Sequence, residues 1–276
     1  MFGFDLDIFW RAAQAILNGK SPYAIGGFFS PHPTALFFVP LAVLPFGLAY
    51  ILWTGGKLAL LANAGDRWRF LKSLLYFPVA FDLLQGQLDL FVFLIALRAN
   101  WLGLTLSTLR PQMAIWVVPW LAVTWWKDRR WDQFWKSVLA VCVLFGASTI
   151  IEPSWWQNWF NAPGVAWKYN RQSASLFGLA QALPFPHESI FLGVAALAII
   201  GFILLKPRTQ TAYWQWVSLF NPVANVYSLV VLFDQADWVV IGLSLVALPL
   251  SEQLHTNAVW AAIPVYLILK DRYSRR

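Results

Sequence analysis

Charged residues are scarce in this chain of 276 residues, which contains 12% charged and 59% hydrophobic residues. A soluble domain usually carries about 25% charged residues, and one soluble core holding this apolar surplus would leave too few polar residues for the surface. Lipid accepts apolar surface, and the 18 Trp and 8 Tyr suit the aromatic belts of membrane–water interfaces. The composition therefore predicts an integral membrane protein.

Cysteine and histidine are also rare. Cys142 is the only cysteine, which excludes an intramolecular disulfide, and its apolar neighbours predict a small buried side chain. His32, His187 and His255 are far apart in sequence and lack metal-ligand spacing, so we expect no metal site. Phosphate-binding glycine loops and the nucleophile-elbow motif are missing, which argues against ATP-driven transport and serine hydrolysis.

The net charge of +7 comes from short groups of Lys and Arg between apolar runs. Cytoplasmic loops of membrane proteins are rich in these residues, so we expect the groups and the C-terminus on the cytoplasmic side of a multi-pass protein in the bacterial plasma membrane. The Lys and Arg residues do not form one basic face, so we expect no nucleic-acid partner. The groups are Arg67–Lys72, Lys127–Arg130, Lys206–Arg208 and Lys270–Arg276.

The apolar runs predict an all-α, polytopic transmembrane bundle forming a single domain over residues 1–276. One span needs about 20 residues, and the runs together predict about eight to eleven membrane segments. Polar breaks inside the long runs predict tight turns that face protein, water or a site. These breaks are Asp82–Gln87, Arg110–Gln112 and Asn221-Pro222.

Two stretches are predicted to lie outside the membrane. Residues 1–31 contain an amphipathic helix, with Asp5 or Asp7 as its N-cap and Gly19 as the glycine after its C-cap. Residues 152–188 form a Trp-rich external loop that suits an interfacial helix.

Several short motifs occur in a shared order over roughly residues 4–235. Together they resemble the GT-C membrane glycosyltransferases of the polyprenol-phosphate-mannose-dependent type, glycosyltransferase family 87. The motifs are Asp5–Ala13, Asn18–Tyr23, Pro33 with Pro40–Pro45, Gly86-Gln87, Arg110-Pro111, and Asn170–Ser173 with Gly178.

The resemblance implies a hexosyltransferase that moves a hexose, expected to be mannose, from polyprenyl phosphate to a lipid or glycan acceptor. Transfer would invert the anomeric carbon at the non-cytoplasmic face, with membrane lipids as surroundings and no cofactor. The acidic residue of the first external loop is the expected base, which is Asp5, with Asp7 as the alternative. A carboxylate there takes the proton from the acceptor hydroxyl.

The resemblance also assigns a cation to the leaving phosphate. Arg110 stands where the family often has Lys, and Arg grips phosphate through two nitrogens. We expect Tyr23 and His32 to line the acceptor cavity. The other residues expected at the donor phosphate or sugar are Gln87, Asn170, Arg171 and Gln172.

Structural roles compete with each assignment: capping for Asp5, snorkelling for Arg110 and helix packing for Gln87. Two functions also compete, a lipid-linked sugar transporter or flippase and a non-catalytic or truncated member of the same fold. The family places a membrane helix before the acidic loop. Either the chain begins without that helix, or the helix lies upstream of Met1.

Overall fold

A computed structural model describes residues 2–162, 173–176, 178, 187–205, 209–221 and 226–273. Over these residues the protein is helical without β-strands, which confirms the all-α fold class. The helices in chain order are α1 (Phe4–Leu17), α2 (His32–Ala42), α3 (Phe46–Ala62), α4 (Arg67–Leu75), α5 (Phe77–Gln85), α6 (Asp89–Ala96), α7 (Trp101–Ser107), α8 (Pro111–Lys127), α9 (Trp131–Ile151), α10 (Trp155–Asn161), α11 (His187–Leu205), α12 (Gln210–Phe220), α13 (Trp238–Gln253) and α14 (Ala262–Tyr273). Short 3₁₀ helices cover Pro22–Ala24, Val226–Gln235 and Asn257–Ala261.

The helices belong to two compact units. Unit 1 comprises Met1–Ala64 and Asp82–Lys168, and unit 2 comprises Gly65–Phe81 and Tyr169–Arg276. Helix α5 contributes residues to both units. The expectation of a single membrane domain stays a prediction.

An aromatic core holds unit 1 together, and the N-terminal helix supplies part of it. The Phe9 ring of α1 stacks on Phe38 of α2 at 5.0 Å, and Phe38 meets Trp53 of α3 edge-on at 5.0 Å. Leu6 is fully buried beside them. Burying each such side chain stabilises the fold by about 1.5–3 kcal/mol. Helix α1 is therefore amphipathic, as predicted, because its apolar face is part of the core.

The ends of α1 show one wrong prediction and one confirmed one. Neither Asp5 nor Asp7 caps the helix, because Gly3 occupies the N-cap in a left-handed conformation at φ 72° and no side chain caps there. Gly19 follows the C-cap with φ 64°, as predicted, and the Lys20 N–H donates to the Ala15 carbonyl at 2.8 Å.

The polar breaks fall at junctions between helices, as predicted. Helices α5 and α6 meet at 116° around residues 86–88, and Arg110 separates α7 from α8. Asn221 ends α12, while residues 222–225 lie outside the described part of the chain. The long apolar run 34–62 is also divided, because α2 and α3 meet at 110°.

Fewer membrane-spanning helices are found than the eight to eleven expected. Among the described residues, α9 alone is both long and apolar enough to cross a membrane, and the bent pairs α2–α3 and α5–α6 raise the number to three if each is one span. Shorter apolar helices cover Gly193–Ile203 and α13. The sequence reasoning counted apolar runs, but sharp bends divide those runs into pieces shorter than a bilayer is thick.

Helix α9 has the surface of a lipid-facing helix. Ile150 is 84% exposed and Leu139 is 65% exposed, which in water would make an unusually large apolar patch. Cys142 is exposed on the same helix, so the prediction that it is buried is wrong. The structure is therefore that of a helical protein with at least one membrane-spanning candidate.

Unit 2 is built around the junction of α4 and α5. The Tyr76 hydroxyl donates to the Leu229 carbonyl at 3.2 Å, and the Phe77 N–H donates to the Ser244 hydroxyl of α13 at 3.2 Å. The Phe77 ring stacks on Trp260 at 5.5 Å. These contacts fix the start of α5, which then continues into unit 1.

Candidate functional site

The start of α1 places Asp5 beside the turn between α5 and α6. The Gly3 N–H donates to the Leu84 carbonyl at the end of α5, at 2.8 Å. Gly86 has φ +75°, and a Cβ atom on it would lie 2.6 Å from the Leu6 Cβ. Because glycine alone fits this conformation and this approach, the turn packs directly on α1 next to Asp5.

A buried lysine fixes the same turn from α3. Lys57 Nζ donates to Asp82 Oδ1 at 2.7 Å and to the carbonyl oxygens of Asp82 and Gln87, each at 3.0 Å. Trp53, one helical turn earlier, donates its indole N–H to the Gly86 carbonyl at 2.9 Å. An ammonium group has three donors, so Lys57 is fully used in shaping the turn.

The partner of Lys57 has a structural task of its own. Asp82 Oδ2 accepts the Leu90 N–H at 3.0 Å in the first turn of α6, while Oδ1 faces Lys57. Both side chains are fully buried. A buried pair needs good geometry and further hydrogen bonds to offset desolvation, and this pair has both.

Arg110 forms the second buried ion pair of unit 1. Its Nε donates to Asp89 Oδ2 at 3.0 Å, its Nη2 contacts the same oxygen, and Nη2 also donates to Gln87 Oε1 at 3.0 Å. Pro111 follows and favours an extended backbone at Arg110, whose φ and ψ are −128° and 87°. The cation predicted from sequence therefore lies against a carboxylate that the sequence reasoning did not pair with it.

Gln87 joins Arg110 to Asp5. The Gln87 side chain lies close enough to the Asp5 carboxyl to lower its pKa, and its Oε1 accepts from Arg110, which leaves its amide N–H group for a partner such as Asp5. Asp5, Gln87 and Arg110 were predicted as site residues from three distant parts of the sequence. In the fold Arg110 hydrogen-bonds both Gln87 and Asp89, and all three of these side chains lie near enough to Asp5 to influence its pKa.

Burial raises the pKa of the half-buried Asp5 carboxyl above its ordinary value. The Gln87 hydrogen bond and the charges of Arg110 and Lys57 lower that pKa, and Asp89 raises it, with burial the largest influence. A carboxylate with a raised pKa is a stronger base than a free aspartate. The arrangement can therefore accept a proton at Asp5 while Gln87 fixes its orientation.

Asp89 leaves one oxygen unused. Its side chain is fully buried, and Oδ1 has no hydrogen-bond partner among the described residues. Buried polar atoms without partners are uncommon in proteins and cost about 1–3 kcal/mol. The oxygen lies on the carboxylate that holds Arg110, so the ion pair is incompletely satisfied from within the described chain.

Tyr23 and His32, the predicted acceptor-cavity residues, lie in a second cluster around Glu152. His32 Nε2 is 3.6 Å from Glu152 Oε2. Burial and the charge of Glu152 raise the pKa of Tyr23 above its ordinary value, so its hydroxyl stays protonated. The first turn of α2 borders both clusters, because Thr34 donates its hydroxyl to the carbonyl of Leu109, next to Arg110, at 2.8 Å.

The remaining predicted site residues do not join these clusters. Asp7 pairs with Arg11 one helical turn later at 2.9 Å, and both side chains are partly exposed. Asn170, Arg171 and Gln172 lie outside the described residues, so their predicted donor contacts stay predictions. No group of three or more potential metal ligands occurs in the described part of the chain.

Sequence reasoning missed three charged residues of these clusters: Lys57, Asp89 and Glu152. Lys57 is the only charged residue in the apolar run 34–62, and Asp89 is the only one between Gln87 and Leu97. A lone charge in an apolar run needs a partner, so these two signals were present. Glu152 follows the apolar run of α9, and no comparable signal marks it.

Comparison of the chain with protein-family models, with curated proteins and with solved structures finds no match. The two clusters of unit 1 are therefore interpreted from their own geometry and from the sequence motifs.

Proposed function

We propose that this protein is a membrane glycosyltransferase that transfers a hexose, mannose by resemblance, from polyprenyl phosphate to a lipid or glycan acceptor. The acceptor hydroxyl attacks the anomeric carbon, its proton passes to Asp5, and the polyprenyl phosphate leaves as an anion. Attack from the opposite side inverts the anomeric centre. The leaving group is already ionised, so the reaction needs no general acid.

The observation that carries this proposal is the position of Asp5. The Gly3 N–H donates to the Leu84 carbonyl and Leu6 packs against Gly86. Asp5 therefore lies beside the turn that carries Gln87, the hydrogen-bond partner of Arg110. Burial raises the pKa of Asp5. A general base works best when its pKa approaches the operating pH and its orientation is fixed. Asp7, two residues away, is paired with Arg11 instead, so the geometry favours Asp5 over Asp7.

Arg110 is the proposed ligand of the leaving phosphate. Only the Gln87 side chain lies between Arg110 and the proposed base. This arrangement would place the donor phosphate next to the acceptor hydroxyl. Asp89 already binds the guanidinium, so a phosphate would share Arg110 with that carboxylate. Lys57 is not proposed as a phosphate ligand, because its three donors serve Asp82 and Gln87.

The proposal includes a multi-pass topology. We propose that the bent pairs and the shorter apolar helices lie in the bilayer with α9, in the bacterial plasma membrane, with the C-terminus cytoplasmic. Groups of Lys and Arg, such as Lys127 to Arg130, support this orientation. A reporter that is active only inside the cell, fused after Arg276, should be active. Activity of an external reporter at that position would reverse the faces.

Transfer from polyprenyl-phosphate mannose by purified protein in lipid tests the proposal. Asp5→Asn keeps the size of the side chain and an oxygen that can accept from Gln87, but removes the base. We expect folded protein whose transfer rate falls about 10²–10⁴-fold. Asp7→Asn, which breaks the surface pair with Arg11, should lose much less. Transfer by Asp5→Asn at the parental rate would mean that Asp5 is not the base.

A non-catalytic member of the same fold is the second candidate, and the buried Arg110–Asp89 pair favours it. An internal ion pair can hold α6 and α8 together without any ligand. Such a protein would show no transfer with any donor, and its Arg110 variants would change stability alone. Donor binding without transfer by the parent protein would favour this candidate or a transporter.

A further inference from the structure

Glu152 organises polar side chains from three separate elements of unit 1. Its Oε1 accepts the Ser21 hydroxyl at 2.8 Å and the Asn158 side-chain N–H at 2.6 Å. Ser21 precedes the 3₁₀ turn, Asn158 lies in α10, and Glu152 follows α9. Two donors therefore fix one carboxylate oxygen and leave Oε2 directed at His32.

His32 is fully buried, yet neither ring nitrogen has a hydrogen-bond partner among the described residues. Its Nε2 lies 3.6 Å from Glu152 Oε2, which is beyond hydrogen-bond range. Leaving a buried donor or acceptor unpaired costs about 1–3 kcal/mol. An imidazole and a carboxylate that face each other across this distance suit a small polar group bound to both.

A hydroxyl group best matches the hydrogen-bonding capacity of these two atoms. It donates to Glu152 Oε2 and accepts from His32 Nε2–H, and so satisfies both atoms at once. A phosphate is an anion at neutral pH and would be repelled by Glu152. A metal ion would need at least one more His, Cys, Asp or Glu, and the described residues provide no such group of three.

The Glu152 side of this cluster is partly accessible, whereas His32 is fully buried, so a ligand would approach from the side of Glu152. The Glu152 side chain is 14% exposed, and Ser21 and Tyr23 are half-buried. Tyr23 remains a neutral phenol, because burial and Glu152 raise its pKa. Trp159 donates its indole N–H to the Phe29 carbonyl at 2.9 Å and so ties α10 to the loop before α2. A ligand with neighbouring hydroxyls would meet Tyr23 as well as Glu152.

We propose that Glu152, His32 and Tyr23 form a binding site for the hydroxyl groups of a neutral sugar, and that Glu152 is its principal anchor. This inference rests on the proposed function, in which the sugar is part of the acceptor. Thr34, two residues after His32, donates to the carbonyl of Leu109, the residue before Arg110, so one hydrogen bond links the first turn of α2 to the segment of the proposed phosphate ligand.

Binding can be measured without transfer, on full-length protein in nanodiscs labelled with ¹⁵N-histidine. The chain has three histidines, so His187 and His255 act as internal references. Octyl α-mannoside represents a lipid-linked sugar, methyl α-mannoside a free sugar, and inorganic phosphate an anion. We expect a mannoside to shift the His32 ring nitrogens selectively and phosphate to leave them unchanged. A response to octyl but not methyl mannoside would identify a lipid-linked ligand.

Glu152→Gln should weaken mannoside binding about 10- to 100-fold, the loss expected for a hydrogen bond to a charged group. Glu252→Gln, at an exposed position of unit 2, is the matched control and should bind normally. If Glu152→Gln does not fold, Tyr23→Phe keeps the ring against Phe28 and should weaken binding less. Unshifted His32 signals with both mannosides, or equal affinity in the variant and its control, would overturn the proposal.

The result is separate from the test of transfer. Mannoside binding at His32 together with parental transfer by Asp5→Asn would retain the sugar site and reject the proposed base. A large transfer defect in Asp5→Asn without mannoside binding at His32 would retain the base and reject this sugar site.

Discussion

Two ion pairs of unit 1 are buried, whereas the ion pairs among the described residues of unit 2 are partly exposed. Lys57 and Asp82 are both fully buried, and Arg110 and Asp89 are 9% and 0% exposed at their side chains. In unit 2, Arg69 and Asp234 pair at 2.9 Å with 45% of each side chain exposed. The same chemical pairing therefore occurs in two very different environments.

This difference in burial indicates which ion pairs have a role beyond stability. An exposed pair contributes about 0–1 kcal/mol and is weakened by salt. A buried pair pays a desolvation cost of several kcal/mol per ion, and apolar residues of similar volume are often as stable. Unit 1 keeps two such pairs beside Asp5, and they hold the turn that carries Gln87. We interpret them as the support of a site.

The largest effect on stability is expected at the Lys57–Asp82 pair. Asp82→Asn leaves the Lys57 ammonium buried without a counter-charge and should lower the free energy of unfolding by about 3–5 kcal/mol. The combination with Lys57→Met removes both charges and should cost less than the sum of the two single changes. Unfolding in detergent measures all three variants. Additive losses would mean that the two side chains are not coupled.

Variants of Arg110 distinguish a purely structural role of this side chain from binding of the donor phosphate. Arg110→Ala should weaken donor affinity about 10- to 100-fold through loss of a charged contact, while Arg110→Lys should keep part of it. Asp89→Asn removes the competing carboxylate and should keep donor affinity at or above the parental value. Equal donor affinity in the parent, Arg110→Ala and Arg110→Lys, measured on folded protein, would exclude phosphate binding at Arg110.

The smallest effect is expected at the exposed pair of unit 2. Arg69→Ala should change the free energy of unfolding by about 0–1 kcal/mol, and the change should shrink further at high salt. Lys136→Ala, which removes an exposed pair with Asp132 in unit 1, is a matched control. A loss at Arg69 as large as that at Asp82 would remove the contrast between the units.

The sequence predicted which polar residues lie near one another better than it predicted the number of membrane spans. Asp5 and Gln87 were chosen from the family resemblance, and Arg110 also because a cation inside an apolar run requires a partner. The fold bonds Arg110 to Gln87 and places Asp5 within their electrostatic influence. Lys57 and Asp89 were missed because each lies in a different apolar run from the charge it pairs with, and only the bent turns bring the runs together. Lys57 and Asp82 are 25 residues apart, and Arg110 and Asp89 are 21 apart.

Backbone geometry explains the errors at the helix ends and in the span count. Asp5 looked like an N-cap because it begins an apolar-periodic segment, but Gly3 takes that position through its left-handed conformation. The resulting contact of Gly3 with Leu84 frees Asp5 for Gln87. Likewise, hydropathy gives the length of an apolar run but not the bend of 110° inside run 34–62.

The pH dependence of transfer tests most directly whether Asp5, oriented by Gln87, is the base. The base acts as a carboxylate, so kcat should fall as pH drops through the pKa of Asp5, which burial raises above the ordinary aspartate value. The Gln87 hydrogen bond lowers that pKa, so Gln87→Met should move the acidic limb of the profile to higher pH. A limb at the same pH in the parent and in Gln87→Met would contradict the account.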